Sequence, residues 1–535
     1  MERKSRPLKV DLESVGSVVV VAPPAAVALP KDVADIVRQS SGGAASPGDA
    51  GGAGGAGDAG DRASTTDHRV EIGGQPVELT ATAGTLTLKD EDGKPKASLF
   101  YTAYVRRGAD DLGRRPITFT FNGGPGSSSV WLHMGAFGPR RVVLPDDASA
   151  PVPPCRMVDN AYSILDITDL VFIDPVSTGY SRAASGEDPK QYHGVTPDVE
   201  SVGEFIRLYV TRHRRWASPK FLAGESYGTA RAANLVNHMQ DRHGMYFNGV
   251  LLISSVLHFQ TILFGPDNDL PYILYLPGYA ATAWYHGRLA PELQGDGSSG
   301  ALRAVLDRAE AFALGEYAAA LLQGNRLEAG ARARVAAELA ALTGLSVDFV
   351  TRCDLRIRLG RFAKELRRDE GRTVGRLDSR YTGMDRDAAG ESFEHDPSYS
   401  AIQGVYTAAV NHYLRADLGY ENDLPYEALT DKVHPWDYDT ARNRYLDVAE
   451  PLRQAMSRNP HLRVFVANGY YDLATPYCAT EHTFSHLGLD PSLDGNIRMG
   501  YYEAGHKMYV HEPSLGRLKA DLAAFFAAAL GDRAS

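Results

Sequence analysis

The sequence predicts an α/β protein: a mostly parallel sheet covered by helices on both faces. Two observations carry this. Nearly all-apolar runs of strand length, such as "DLVFIDPV" and "FNGVLLISSV", alternate with stretches of helical apolar spacing, such as "VESVGEFIRLYVTRH". Strands buried on both faces read as such continuous runs, whereas half-exposed strands alternate apolar with polar.

Order is expected from about Asp67. "VELTATAGTLTLK" and "KASLFYTAYVRRG" do alternate, with Asp92-Gly93 as a turn, which suits antiparallel strands at a sheet edge. A strand over 117–121 runs into the glycine-rich "NGGPGSSS". Further strands are expected over 169–176, in "PKFLAGES" and in "FNGVLLISSV", with helices over 199–213 and about 229–239. Near the C-terminus, "LRVFVANGYYDLATPY" gives a strand over 462–467, and a last helix runs over about 514–529.

Composition bounds the function. The 535 residues carry a net charge of −10, with 44% hydrophobic and 23% charged residues, as in a soluble globular protein. There is no basic footprint for nucleic acid. No phosphate loop, internal repeat or CxxC metal pattern is written, so no cofactor or metal is expected. The three cysteines, Cys155, Cys353 and Cys478, allow at most one disulfide, so the fold does not depend on an oxidising compartment. Arg3, Lys4, Arg6 and Lys9 precede "SVVVVAPPAAVALP" with its Ala26-Val27-Ala28 small-residue site, an export-like pattern. Asp11, Glu13 and Pro23-Pro24 interrupt it, and the simpler reading is a disordered tail with the cytoplasm favoured over export. Residues 41–66 are a Gly/Ala-rich linker with nothing to bury. No later stretch reaches the roughly 18 to 20 apolar residues of a membrane span.

The chemistry-bearing stretch is "FLAGESYGTARAANLV", residues 221–236. Gly-x-Ser-x-Gly between a strand and a helix is the pattern of a nucleophile elbow. The chain turns so sharply at the serine that side chains at Gly224 and Gly228 would clash. The turn lifts the Ser226 hydroxyl to a helix N-terminus, where free N–H groups favour a developing oxyanion. In the α/β-hydrolase order the acid and the histidine follow. Asp472 lies just past a late strand, and His506 lies in a loop after Gly505, ahead of the last helix. His506 would take the Ser226 proton, and Asp472 would orient the imidazole and stabilise its charged form. The oxyanion amides would come from Tyr227 and from the Gly123-Gly124 loop.

Together "NGGPGSSS", "GESYG", "NGYYD" and "AGHKMYVHEP" resemble the serine carboxypeptidases of the α/β-hydrolase superfamily, in particular their cysteine-poor bacterial branch. The resemblance runs from about Arg69 to the C-terminus. It implies Ser226, Asp472 and His506 as the triad and Gly124 and Tyr227 as oxyanion amides. It also implies Asn122, Gly123 and Glu225 as groups that bind the terminal carboxylate of a peptide substrate. Two positions depart from it. Where the family has a second glutamate this chain has Ala136, and where it has a loop-bracing cysteine this chain has Ser127. Without a carboxylate partner, Glu225 is expected to hold a substrate carboxylate in its neutral, hydrogen-bond-donating form.

The domain reading is a tail over 1–66, a core over 67–259, a mainly helical cap insertion over 260–459 and the rest of the core over 460–535. Tyr272, Tyr275, Tyr279, Trp284 and Tyr285 in the cap are expected to pack against the main domain, or as a group to line an apolar pocket. Three functions are open: a serine carboxypeptidase, an esterase or acyltransferase on the same frame, and a non-catalytic interaction protein. The complete Ser/Asp/His set disfavours the last.

Overall fold

The computed structural model describes residues 61–531 except 110, 155, 439, 440 and 442. It opens with an antiparallel meander of β1 (Ala63–Ile72), β2 (Gln75–Lys89) and β3 (Pro95–Arg106). The strands β4 (Ile117–Phe121), β5 (Asp169–Ile173), β6 (Lys220–Ser226), β7 (Gly249–Ser255), β8 (Arg463–Gly469) and β9 (Ile497–Tyr502) follow. Among the described residues they form a 10-stranded sheet in the order β1-β2-β3-β5-β4-β6-β7-β8-β9, with the short strand Arg182–Ala183 paired to β3. From β5 to β9 every neighbouring pair is parallel, and β3 joins β5 antiparallel.

Parallel neighbours need long crossovers, and helices supply them. α1 (Val195–Arg212) precedes β6 and α2 (Tyr227–His243) links β6 to β7. The long excursion after β7 contains α3 (Leu270–Tyr285), α4 (Ser299–Phe312), α5 (Ala329–Thr343) and α6 (Pro397–His412). α7 (Ala449–Arg458) leads into β8, and α8 (Glu512–Leu530) ends the fold. Strand side chains alternate between two cores. Phe221 and Ala223 of β6 pack in one layer with Leu518, Leu522 and Phe526 of α8 and with Tyr406 of α6. Leu222 packs in the other with Phe205 of α1, Val236 of α2 and Leu452 of α7. A mostly parallel sheet buried on both faces, with the elbow at the end of its central strand β6, is the α/β-hydrolase fold. Among the described residues no helix is long and apolar enough to cross a membrane.

The structure corrects several boundaries. Of the expected tail, residues 1–60 lie outside the described residues, but residues 63–66 are paired strand. β1 matches Ala63–Thr66 against Ala81–Gly84, and Ser64 Oγ donates to Leu418 O at 2.6 Å. The segment "STTDHRVEI" alternates polar with weakly apolar residues, which is faint strand patterning. β9 has no counterpart in the sequence reading, because this edge strand is only partly buried and carries Arg498 and Gly500. α2 starts at the residue after Ser226 and extends to His243.

The insertion is not one cap. Residues of α3, α4 and α5 build a third core with Phe362 and Phe393, shared with Tyr471, Leu473 and Tyr477 of the main domain. Tyr399, Tyr406 and Tyr413 pack instead into the α8 side of the main sheet, and Trp436 and Leu446 into the other side. α7 packs on the sheet beside α2, so the expected cap limit at residue 459 takes in a core helix. The chain after Phe393 thus returns over both faces of the core.

Candidate active site

The expected site residues converge at the carboxyl ends of parallel strands, where open α/β sheets bind their ligands. Asn122 and Gly123 follow β4, Ser226 ends β6, Asp472 follows β8 and His506 follows β9. Ser226 has φ 59° and ψ −129°, a backbone that L side chains rarely adopt and that costs on the order of 1–3 kcal/mol. Three glycines make room for it. A Cβ at Gly224 would stand 2.1 Å from Gly228 O, one at Gly228 3.0 Å from Asn122 O, and one at Gly123 2.4 Å from Tyr227 N.

His506 and Asp472 are 2% and 1% exposed. His506 Nδ1 lies 2.7 Å from Asp472 Oδ2. A carboxylate only accepts, so Nδ1–H donates and Nε2 is left as the acceptor in the neutral ring. The acid is fixed by three further donors: Ala474 N and Thr475 N to Oδ1 at 2.8 and 2.9 Å, and Thr475 Oγ1 to Oδ2 at 2.7 Å. Ser226 and His506 line one cavity, and no hydrogen bond joins them in this structure. Gly124, at φ 101°, and Tyr227 line the same cavity, and among the described residues neither backbone N–H donates to a protein carbonyl. The set can therefore present a hydroxyl, a base with its orienting acid, and two free amides to one acyl group.

Glu225 lines the same cavity, with partners that the sequence reading did not foresee. Its buried carboxylate accepts from Lys507 Nζ at 2.5 Å and from Tyr509 Oη at 2.5 Å. Burial first, then the Glu225 charge, holds the Tyr509 phenol well above its ordinary value, so it stays a donor. Glu225 is thus paired with a lysine and a phenol of its own chain. The Lys507 ammonium also lies 4.7 Å from the Trp131 ring centroid. Asn122 accepts from Leu132 N at 3.1 Å, and its side chain also lies against the Tyr509 hydroxyl. Behind it, Arg231 of α2 donates to Asn122 O at 2.6 Å and to Asp198 at 2.7 Å. Ala136 is fully buried, and the next residue back, Gly135, packs against the Tyr406 hydroxyl and the Tyr509 ring.

Two braces come from the insertion. Residues 376–379 tie the Asp472 and His506 loops together: Leu473 N donates to Arg376 O at 3.1 Å, Ser379 N to Tyr471 O at 3.0 Å and His506 N to Leu377 O at 2.6 Å. Gly505 N donates to Asp378 Oδ2 at 3.2 Å. Where the resemblance expects a disulfide-braced loop, hydrogen bonds do the bracing. Ser128 N donates to Ala428 O at 3.1 Å, Thr430 N to Gly126 O at 3.0 Å, and Trp131 Nε1 to Ser127 Oγ at 2.8 Å. Cys353 and Cys478 are free thiols, and Cys155 lies outside the described residues.

Lys507, Tyr509 and Thr475 were within reach of the sequence, each within three residues of a predicted triad member. Arg376 and Asp378 carry no local signal. Of the five cap aromatics, Tyr272, Tyr275, Tyr279 and Trp284 are buried in the cap core, and Tyr285 packs against Tyr471. None of them lines the cavity, whose rings are Trp131, Tyr227, Phe259, Tyr399 and Tyr438.

Comparison with known proteins agrees with this arrangement. Residues 73–263 match the serine carboxypeptidase (peptidase S10) family model, a span that holds Asn122 to Gly124 and the Ser226 elbow. The chain is 30% identical over 143 residues to the pheromone-processing carboxypeptidase KEX1 of Cryptococcus gattii, covering 26% of this chain and 19% of that one. It is 25% identical over 186 residues to serine carboxypeptidase-like 33 of Arabidopsis thaliana, covering 34% of this chain and 36% of that one. The matches therefore span well under two thirds of these curated relatives. Among solved structures, the prohormone-processing carboxypeptidase KEX1 of Saccharomyces cerevisiae superposes with a TM-score of 0.49 at 14% identity, covering 83% of this chain and 91% of that one. The elbow and the Asn-Gly-Gly loop both fall within the span that matches the serine carboxypeptidase family model, residues 73–263.

Proposed function

We propose that this protein is a serine-type carboxypeptidase that removes C-terminal residues from peptides through an acyl-enzyme on Ser226. The observation that carries the reading is the polar corner of the Ser226 cavity. There the Asn122 side chain, the Lys507 ammonium and Gly123 line the same cavity. Such a corner suits a substrate's terminal carboxylate: a neutral amide and a cation donate to it, while Glu225 and Tyr509 hold the cation in place. His506 Nε2 takes the Ser226 proton as the hydroxyl attacks the last peptide carbonyl. The Gly124 and Tyr227 amides receive the oxyanion, and the His506 proton passes to the leaving amine. Water then attacks the acyl-enzyme by the same route in reverse.

The test is Ser226→Ala with a blocked dipeptide. We expect turnover to fall by several orders of magnitude with the fold intact, and a fluorophosphonate to label Ser226 in the wild type. Retention of a tenth of the activity would remove Ser226 as the nucleophile. Only Ala136 favours the second reading, an esterase or acyltransferase on the same frame, because it leaves one carboxylate contact of the resemblance unfilled.

A further inference from the structure

Arg376 is a buried cation without a partner. It is 7% exposed, and among the described residues its guanidinium takes part in no hydrogen bond or ion pair, with Nε fully enclosed. The other buried arginines are all paired: Arg141 with Glu512, Arg215 with Asp169, Arg231 with Asp198 and Arg380 with Asp378. A guanidinium taken from water without an anion is costly, and such groups are ordinarily matched by a carboxylate. Arg376 lines the same cavity as Ser226 and His506. Its backbone is fixed, because its N–H donates to Asp396 at 3.1 Å and its carbonyl accepts from Leu473. Leu473, whose N–H it accepts, directly follows Asp472, so the Arg376 backbone lies beside the Asp472 loop.

The corner around Asn122 and Lys507 has its own donors, and its cation is already matched by Glu225. Arg376 comes from a different segment and, among the described residues, answers to no protein anion. From this we infer that Arg376 is a specificity-determining residue that binds a second substrate carboxylate, the side chain of an aspartate or glutamate next to the bond being cut. A planar guanidinium can hold that carboxylate by two parallel hydrogen bonds. Ile262 and Leu263, which line the cavity, offer apolar surface for the methylene stem. The inference rests on the carboxypeptidase reading for the bond that is cut, but the carboxylate site itself can be tested without it.

The experiment uses the full chain and two sets of blocked dipeptides, with Glu or Gln on one side of the scissile bond and then on the other. We expect wild-type kcat/KM to favour Glu over Gln at one position by about tenfold to a hundredfold, the range for a hydrogen-bonded charge pair. The ratio should fall to near one in Arg376→Met and recover in part in Arg376→Lys. A wild-type ratio near one at both positions, or one that survives in Arg376→Met, overturns the inference. So does an Arg376→Met that keeps the Glu preference but loses the preference for a free over an amidated C-terminus, since Arg376 would then read the terminal carboxylate. The second measurement needs neither turnover nor a folded variant. N-acetylglutamate α-amide should shield wild-type Ser226 from a fluorophosphonate better than its glutamine counterpart, and equal shielding counts against the site. If shielding differs but no peptide is cleaved, the carboxypeptidase reading falls and the arginine site stands.

Discussion

Lys507 immediately follows His506 in sequence and sets its ammonium 2.5 Å from the carboxylate of Glu225, the residue before Ser226. One ion pair therefore ties the histidine loop to the nucleophile elbow. Both members are buried, Glu225 at 1% and Lys507 at 7% exposure. Its first consequence is structural, because a buried pair broken on one side leaves an uncompensated charge.

We expect Lys507→Met to destabilise the fold by about 3 to 5 kcal/mol at neutral pH, and the double variant with Glu225→Gln to recover part of that loss. Denaturant unfolding of the single and double variants measures this. Equal midpoints for wild type and Lys507→Met would mean that the pair contributes nothing to stability.

Thr475 Oγ1 is the side-chain donor that holds Asp472 Oδ2 against His506. Thr475→Val removes it from a buried charged acceptor. We expect kcat/KM to fall by about tenfold or more, with Thr475→Ser close to the wild type. An unchanged rate in Thr475→Val would show that the two backbone donors alone hold the acid.

Asp174 gives a pH signature. It accepts from Ser129 N at 2.8 Å and Ser129 Oγ at 2.7 Å, but burial outweighs these bonds and pushes its carboxyl up from 3.8 to about 6. The folded state then binds this proton more tightly than the unfolded one, so stability falls as pH rises from about 4 through 6. Asp174→Asn keeps an oxygen acceptor for Ser129 and cannot ionise. We expect the variant to gain about 1 to 3 kcal/mol over the wild type at pH 7 relative to pH 4. Melting curves across that range check it, and parallel curves for the two proteins would contradict it.

The elbow was legible because steric necessity writes it locally: glycines two residues either side of a serine, between an apolar run and a helix. The central strands were legible because burial on both faces leaves continuous apolar runs. β1 and β9 were not, since partly exposed strands with polar residues lack that signature. The ion pair of Glu225 was missed for a different reason. Its partners come from the histidine loop, 282 and 284 residues further along the chain. Arg376 and Asp378 were hidden in the same way, because nothing near them in sequence marks contact with loops about a hundred residues away. The insertion was read as one body because helical spacing reports a buried face without saying what buries it. The packing of Tyr399, Tyr406 and Trp436 on the main sheet is a tertiary fact.

The most direct test is kcat/KM for a blocked dipeptide with a free C-terminal carboxylate against the same peptide amidated, measured on wild type and on Lys507→Gln. We expect the wild type to prefer the free acid by about a hundredfold, as charge-assisted contacts allow, and Lys507→Gln to lose most of that preference. Equal rates on the acid and its amide in the wild type would contradict the carboxypeptidase reading and leave a serine hydrolase of another specificity.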